Sequence, residues 1–394
     1  MSRGKPSPEQ LDLSDGLLNV LTGDAGLLDT TGEDTCNYGN LLGIPEARKL
    51  MAAILDVPAD EVLIGNNSSL NLMYDTVARS MLYGVGGFTP WCKLESVKFL
   101  CPTPGYDRHF AITESMGFTN IEIEMLDEGP DMSVVEHFVN TDPAVKGIWC
   151  VPKYSNPLGT TYSDEVVRRF ANLKPAAGDF RIFWDNAYAV HDLEYPGDEL
   201  LSLRQACIEA NNPDIYYMFS STSKITYAGA GISALSSSRP NLDDILKTMV
   251  FQTIGADKVN QLRHVAFLHD LDGVKAHMRK HAAILAPKFA VVLETFEREL
   301  AGLKIAEWTR PRGGYFISFL GLKNTAKRTV ELAKQAGVVL TDAGATHPYG
   351  FDHLDKDIRI APSYPSIEEL ALAAELFCVC VRIAALESIA ARTR

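Results

Sequence analysis

The sequence predicts an α/β fold: a large domain built on a mostly parallel sheet of the seven-stranded type, joined to a smaller α+β domain. Three observations lead there. From about Pro45 to Leu271, short apolar runs alternate with amphipathic helical patterns, the order that builds βαβ units with helices on both faces of a sheet. After His269-Asp270-Leu271-Asp272-Gly273 the pattern changes to one long amphipathic helix with a few short strands. The chain also has 394 residues of which 46% are hydrophobic, enough for a large core and long enough for more than one domain.

Taken in order, Val62-Leu63-Ile64-Gly65 reads as a buried strand entering the polar turn Asn66-Asn67-Ser68-Ser69. Leu70, Leu72, Met73 and Val77 then give a helical stripe. Residues 147–151 form a strand, and Asn156-Pro157-Leu158-Gly159 is a turn signal. The runs 180–184 and 216–219 read as strands buried on both faces, as parallel sheets require. Further on, a helix is expected over 274–300, a strand at 313–319, a helix over 325–336, a strand at 337–341 and a closing helix over 366–389. The expected division is 45–271 for the large domain, with 1–44 folding back beside 272–394 as the small one. No internal repeat or low-complexity linker interrupts it.

Composition narrows the function. A net charge of −13 argues against nucleic-acid or anionic-membrane partners, which would repel most of the surface. No apolar run reaches membrane-spanning length, and the polar start is not a signal peptide. Seven cysteines without framework spacing suit reduced thiols and a cytoplasmic protein. His277 and His281 share a helical face but sit among Lys275, Arg279 and Lys280, so they read as solvated, and no metal site is expected.

Chemistry concentrates at three places. Ser220-Ser221-Thr222-Ser223-Lys224 closes a buried run and leads into Ala228-Gly229-Ala230-Gly231. Burial lowers a lysine pKa and exposes a neutral, nucleophilic amine, while hydroxyls and free N–H groups in such a turn suit a phosphate. That pairing fits pyridoxal 5'-phosphate, whose aldehyde condenses with a lysine. Asp185 ends the strand Arg181-Ile182-Phe183-Trp184-Asp185 at the edge where open α/β sheets bind ligands. There it could pair with a pyridine nitrogen, with Tyr188 three residues on reaching the 3'-oxygen. Asn156 could meet that oxygen from the other side. Taken singly, Asp185 could be a helix cap, Asn156 a turn residue and Lys224 a solvated loop lysine.

The order Asn-Pro-x-Gly, Asp-x-x-Tyr, Ser-x-x-Lys, with 29 residues from Asn156 to Asp185 and 39 from Asp185 to Lys224, resembles the fold-type I pyridoxal-phosphate enzymes, specifically the class I aminotransferases. The resemblance covers essentially the whole chain. It implies Lys224 as the residue that carries the cofactor and shuttles the substrate proton, with Asp185 and Tyr188 supporting the ring. It implies phosphate contacts from Ser68, Ser69, Ser221 and Ser223, and a stacking role for Tyr106 in Cys101-Pro102-Thr103-Pro104-Gly105-Tyr106. Arg359, in Ile358-Arg359-Ile360-Ala361, matches the family arginine for the substrate α-carboxylate, a task for a planar, bidentate fork. Gly4 and Asn156 complete the implied substrate contacts. Tyr38 matches the tyrosine that reaches a neighbouring subunit's phosphate, which implies a homodimer with shared active sites.

Arg3-Gly4-Lys5-Pro6-Ser7, Gln261-Leu262-Arg263-His264 and Ser223-Lys224-Ile225-Thr226 resemble a bacterial group of MocR-like aspartate aminotransferases. The implied substrates are therefore an amino acid, aspartate first, and a 2-oxo acid such as 2-oxoglutarate. Two departures stand out. Many members carry a phosphate-binding arginine seven or eight residues after the lysine, where this chain has Gly231 and Ile232. Members also usually have a helix ahead of the Gly4 loop, and this chain starts almost at that loop. For the distal carboxylate of aspartate the sequence offers Arg263, Lys153, Arg108 and Arg312 without choosing among them. An aromatic or broad aminotransferase, or a carbon–sulfur β-lyase, would keep every motif; a non-catalytic cofactor-binding regulator domain is the remaining alternative, disfavoured because such regulators carry a basic DNA-binding segment ahead of the domain that this sequence does not show.

Overall fold

The computed structural model describes residues 1–21 and 26–392. Its main sheet has eight strands: β1 (Val62–Gly65), β2 (Lys98–Thr103), β3 (Thr119–Leu126), β4 (Gly129–Pro130), β5 (Val145–Cys150), β6 (Arg181–Asp185), β7 (Tyr216–Ser221) and β8 (Ser233–Ser236). They lie in the order β1-β8-β7-β6-β5-β2-β3-β4. The pairs β2–β3, β2–β5, β5–β6 and β6–β7 are parallel, β8 runs against both its neighbours, and β4 is a two-residue hairpin partner of β3. The expected seven-stranded type is thus present, with β4 as a short addition.

The central strands are buried along their whole length, because helices cover both faces. One face packs Ile148, Ile182, Trp184 and Met218 against the helices Pro45–Leu55 and Asp164–Ala171. The other packs Phe99, Trp149, Phe183 and Phe219 against Ser69–Tyr83 and Arg239–Met249. A Cβ at Gly147 would lie 2.2 Å from Phe99 Cζ, so glycine in β5 is what lets that aromatic stack close.

A second core surrounds a three-stranded antiparallel sheet, β9 (Ala306–Trp308), β10 (Ile317–Gly321) and β11 (Asp357–Ile360), ordered β11-β10-β9. The helices Leu271–Leu300, Ala326–Gln335 and Ile367–Arg392 pack on it. The strand expected at 337–341 does not form. Its polar groups are taken by the chain start instead: the Met1 ammonium donates to Val339 O at 2.8 Å, and Thr341 Oγ1 donates to Ser2 O at 2.6 Å. Ala361 N in turn donates to Met1 O, so the first residues lie between the 338–341 segment and the end of β11.

His277 and His281 are buried, not solvated. The N-terminal helix Pro8–Asp12 and the turn after Lys224 cover their side of the long helix, while Lys275, Arg279 and Lys280 point to solvent from the other. His281 contacts His277 at 3.2 Å and Gln10 at 3.0 Å, and His277 donates to Ile225 O at 2.8 Å. Burial holds both rings neutral, with the His281 pKa pushed down to about 4.

Candidate active site

The chain leaves the sheet in opposite directions from β2 and β5, which are neighbours. That is the switch point at which open α/β sheets form a crevice beyond their carboxyl ends. A cavity of about 520 Å³ lies there, between the two cores. Tyr106 reaches it from beyond β2, Asn156 from beyond β5, Asp185 from the end of β6 and Lys224 from beyond β7. Arg359 of β11 and the Gly4 loop close the opposite wall.

Asp185 is anchored by one oxygen. Its Oδ2 lies 3.0 Å from His109 Nε2, and the His109 ring stacks on Trp149 at 4.6 Å. The other oxygen, Oδ1, is buried without a partner, a costly arrangement unless a donor occupies the cavity. Lys224 Nζ sits 4.9 Å from the centre of the Tyr188 ring, which itself stacks on Tyr315. Burial lowers the Lys224 pKa, and the charge of Asp185 offsets part of that shift. Burial pushes Tyr188 well up and Tyr106 up to about 12, with Asp185 adding to both. Their phenols therefore keep their protons near neutral pH.

Arg359 is buried and held from below by Phe316, whose ring centre is 5.0 Å from the guanidinium carbon. Its Nη1 donates to Asp107 Oδ1 at 2.8 Å and to Asn156 Oδ1 at 3.4 Å, while Nε has no partner. Phe316 also explains Gly4: a Cβ there would stand 2.3 Å from the phenyl Cζ.

The serines lie to one side of this cavity. Ser223 Oγ donates to Asn67 O at 2.7 Å and Ser221 Oγ to Ser223 Oγ at 3.1 Å, which brings the end of β7 against the turn after β1. Ser68 caps the helix Ser69–Tyr83 by accepting from Leu70 N, so its capping and anion-binding roles coincide. Tyr38 is 83% exposed and does not line the cavity of its own chain.

Four residues that matter here went unassigned in the sequence. Asp107 follows Tyr106 directly and His109 lies one helical turn past it, and that proximity was the only available signal. His191 is buried between Tyr188 and Tyr315, with both ring nitrogens unpartnered. Burial, and then the Lys224 charge, press its pKa well down. His347 joins Glu122 of β3 to Asp357 of β11 at 3.2 and 3.4 Å. Burial alone would lower its pKa, but these carboxylates raise it to about 9. His347, Asp352 and Asp357 bring ligand atoms within 4.8 Å of one another, yet Asp352 already accepts from the backbone N–H groups of Leu354, Lys356 and Asp357.

The residues present fit pyridoxal 5'-phosphate. A lysine of lowered pKa, a cavity-lining aspartate with an unpaired buried oxygen and a Ser-lined helix start supply its three anchoring needs. Solved structures place the fold in the same class: an α-aminoadipate aminotransferase from Thermus thermophilus, complexed with N-(5'-phosphopyridoxyl)-L-leucine, aligns with a TM-score of 0.79 at 18% identity, covering 97% of this chain and 92% of that one. The fold is that of the pyridoxal-phosphate aminotransferases. More narrowly, the family model for aspartate amino-transferase matches residues 1–393, and the chain belongs to that family. An aspartate aminotransferase of Corynebacterium glutamicum is 47% identical over 388 residues, 98% of this chain and 89% of the relative. A crystal structure of an aspartate transaminase from that organism superposes with a TM-score of 0.96 at 47% identity, over 98% of this chain and 91% of the other.

Proposed function

We propose that this chain is an aspartate:2-oxoglutarate aminotransferase of the MocR-like bacterial group, a cytoplasmic homodimer that uses pyridoxal 5'-phosphate. The observation that carries the cofactor reading is the unpaired, buried Asp185 Oδ1 in the same cavity as Lys224. Bound pyridoxal 5'-phosphate supplies an electron sink for the pair left when an amino acid loses its α-proton. Lys224 Nζ would tether the cofactor; freed when the substrate amine replaces it there, the neutral amine would take the proton from the substrate Cα and hold it for return. Asp185, fixed by His109, keeps a proton on the pyridine nitrogen. Tyr106 and Tyr188, both protonated, can donate from their phenols. Arg359 binds the α-carboxylate once that carboxylate displaces Asp107.

Of the four cations open for the distal carboxylate, Lys153 is occupied by Asp192 and Ala189 O. Arg312 is occupied by Glu194, Asp198 and Pro196 O. Arg263 lines a different cavity, whereas Arg108 lines the main one, so Arg108 takes this role. The dimer reading rests on Tyr38, Phe251 and Ile254, all strongly exposed. They lie on adjoining segments, since a Cβ at Gly255 would meet Gly39 O. The cytoplasmic reading rests on seven free thiols; no helix among the described residues is long and apolar enough to cross a membrane. The chain also reads as two domains, 45–271 and 1–44 with 272–394, a reading supported by the cavity's position between two hydrophobic cores.

Purified protein incubated with aspartate and 2-oxoglutarate should form oxaloacetate and glutamate, and an Arg108→Leu variant should lose aspartate preferentially over alanine. Turnover of cystathionine with no transamination of aspartate would replace this reading with a β-lyase.

A further inference from the structure

A cofactor phosphate carries a charge of about −1.5 to −2 at neutral pH. The cradle around Ser68, Ser69, Ser221 and Ser223 offers neutral donors and a helix start worth roughly half a positive charge. About one negative charge or more is left unmatched, and the seventh and eighth positions after Lys224 hold only Gly231 and Ile232.

A second cavity, of about 300 Å³, adjoins this cradle. It is lined by Asn67, Gly231, Asp257, Asn260 and Arg263 among others. Its walls are continuous with the phosphate turn: a Cβ on Gly231 would lie 3.2 Å from both Asn67 O and Ser223 N. Asn260 fastens the helix Lys258–Leu268 to this turn, donating from Nδ2 to Ala230 O and Gly231 O at 3.0 Å each. Arg263 follows one helical turn later, on the same face. It is half-buried and has no hydrogen-bond or ion-pair partner among the described residues. Asn260 Oδ1 is likewise buried without a donor, and can orient the guanidinium. The Asp257 carboxylate on this wall is engaged as the helix cap by Asn260 N at 2.9 Å. The neighbouring Lys258 ammonium is already paired with Glu33 at 2.6 Å.

We propose that Arg263 is the phosphate counter-cation of this site, reaching the cofactor phosphate from the helix Lys258–Leu268 across the Gly229–Gly231 turn. This rests on the cofactor part of the proposed function and is independent of which amino acid is the substrate. Gly231 then serves a second purpose, since any side chain there would narrow the passage between arginine and phosphate.

The test is to resolve the enzyme to apoprotein and titrate it with pyridoxal 5'-phosphate and, separately, with pyridoxal, reading the visible absorbance of the lysine adduct. Arg263→Gln should weaken the phosphorylated ligand by about 10- to 100-fold, the range for a lost charge-assisted contact, and leave pyridoxal unchanged. Arg263→Lys should fall between, because a lysine keeps the charge and loses the fork. An unchanged ratio of the two affinities in Arg263→Gln would overturn the proposal, and so would equal weakening of both ligands, which marks a merely structural arginine. Wild-type protein that binds neither ligand would overturn the cofactor reading itself. Failure to transaminate aspartate with binding intact would instead overturn only the substrate assignment.

Discussion

The two walls of the cavity are built differently. On the sheet side, Asp185 and Lys224 project from fully buried parallel strands and their first turns, and Asp185, which lines the cavity, keeps one buried oxygen unpaired. On the opposite side, Arg359 comes from a short antiparallel strand and is already engaged by Asp107, across from it on the helix Asp107–Ser115. A rigid wall with an open valence suits a guest that stays. An arginine paired across the cavity at rest suits guests that arrive and leave at every turnover, since their carboxylate can take the place of Asp107.

The comparison can be broken most forcefully on the sheet side. Asp185→Ala should lower kcat by about 10²- to 10³-fold, the usual cost of removing a preorganised electrostatic contact, while Lys224 still forms its visible adduct. Activity near wild type would show that the orphaned oxygen has no cofactor role. Arg359→Lys should cost about 10- to 100-fold in kcat/KM through the lost bidentate fork, with cofactor absorbance unchanged. A smaller effect is expected for Asp107→Asn: if the arginine is self-paired at rest, removing the competing charge should lower KM for the amino acid several-fold. A raised KM would mean that Asp107 positions Arg359 and does not compete for it.

The seam between the walls gives the mildest test, through pH. His347 is a buried histidine with its pKa raised to about 9 by Asp357 and Glu122 against the pull of burial. Its contribution to stability is complete below the ordinary value near 6.5 and disappears as pH rises toward 9. His281, lowered to about 4 by burial and by His277, acts in the opposite sense: its contribution is complete above 6.5 and is lost as pH falls toward 4. Urea unfolding from pH 5 to 9.5 should therefore show a maximum near neutrality. His347→Gln should remove the alkaline slope by an amount of order 3 kcal/mol at most, and His281→Gln should flatten the acid one. The same alkaline slope in His347→Gln would assign it to other groups.

Much of the fold was legible because its signals are local. The runs that became β5, β6 and β7 have apolar centres, and the Asn-Pro, Asp-x-x-Tyr and Ser-x-x-Lys motifs each lie within a few residues of a strand end. The segment 337–341 misled for the opposite reason. Its apolar residues look like a strand, but which backbone partner it meets was decided by the first two residues of the chain, more than 330 positions away. The buried histidines misled similarly, since Lys275, Arg279 and Lys280 dominate the local sequence while Gln10 and Ile225, far along the chain, do the covering.

By itself, then, the sequence determined the doubly wound class, pointed to the cofactor chemistry and put Lys224 just beyond a buried strand, because strand burial and motif spacing act over a few residues. Only the tertiary structure decided that His109 braces Asp185, that Asp107 occupies Arg359, and that Arg108 and Arg263 face different cavities. Those outcomes depend on electrostatic pairing and desolvation, which follow distance through the folded molecule and have no counterpart in spacing along the chain.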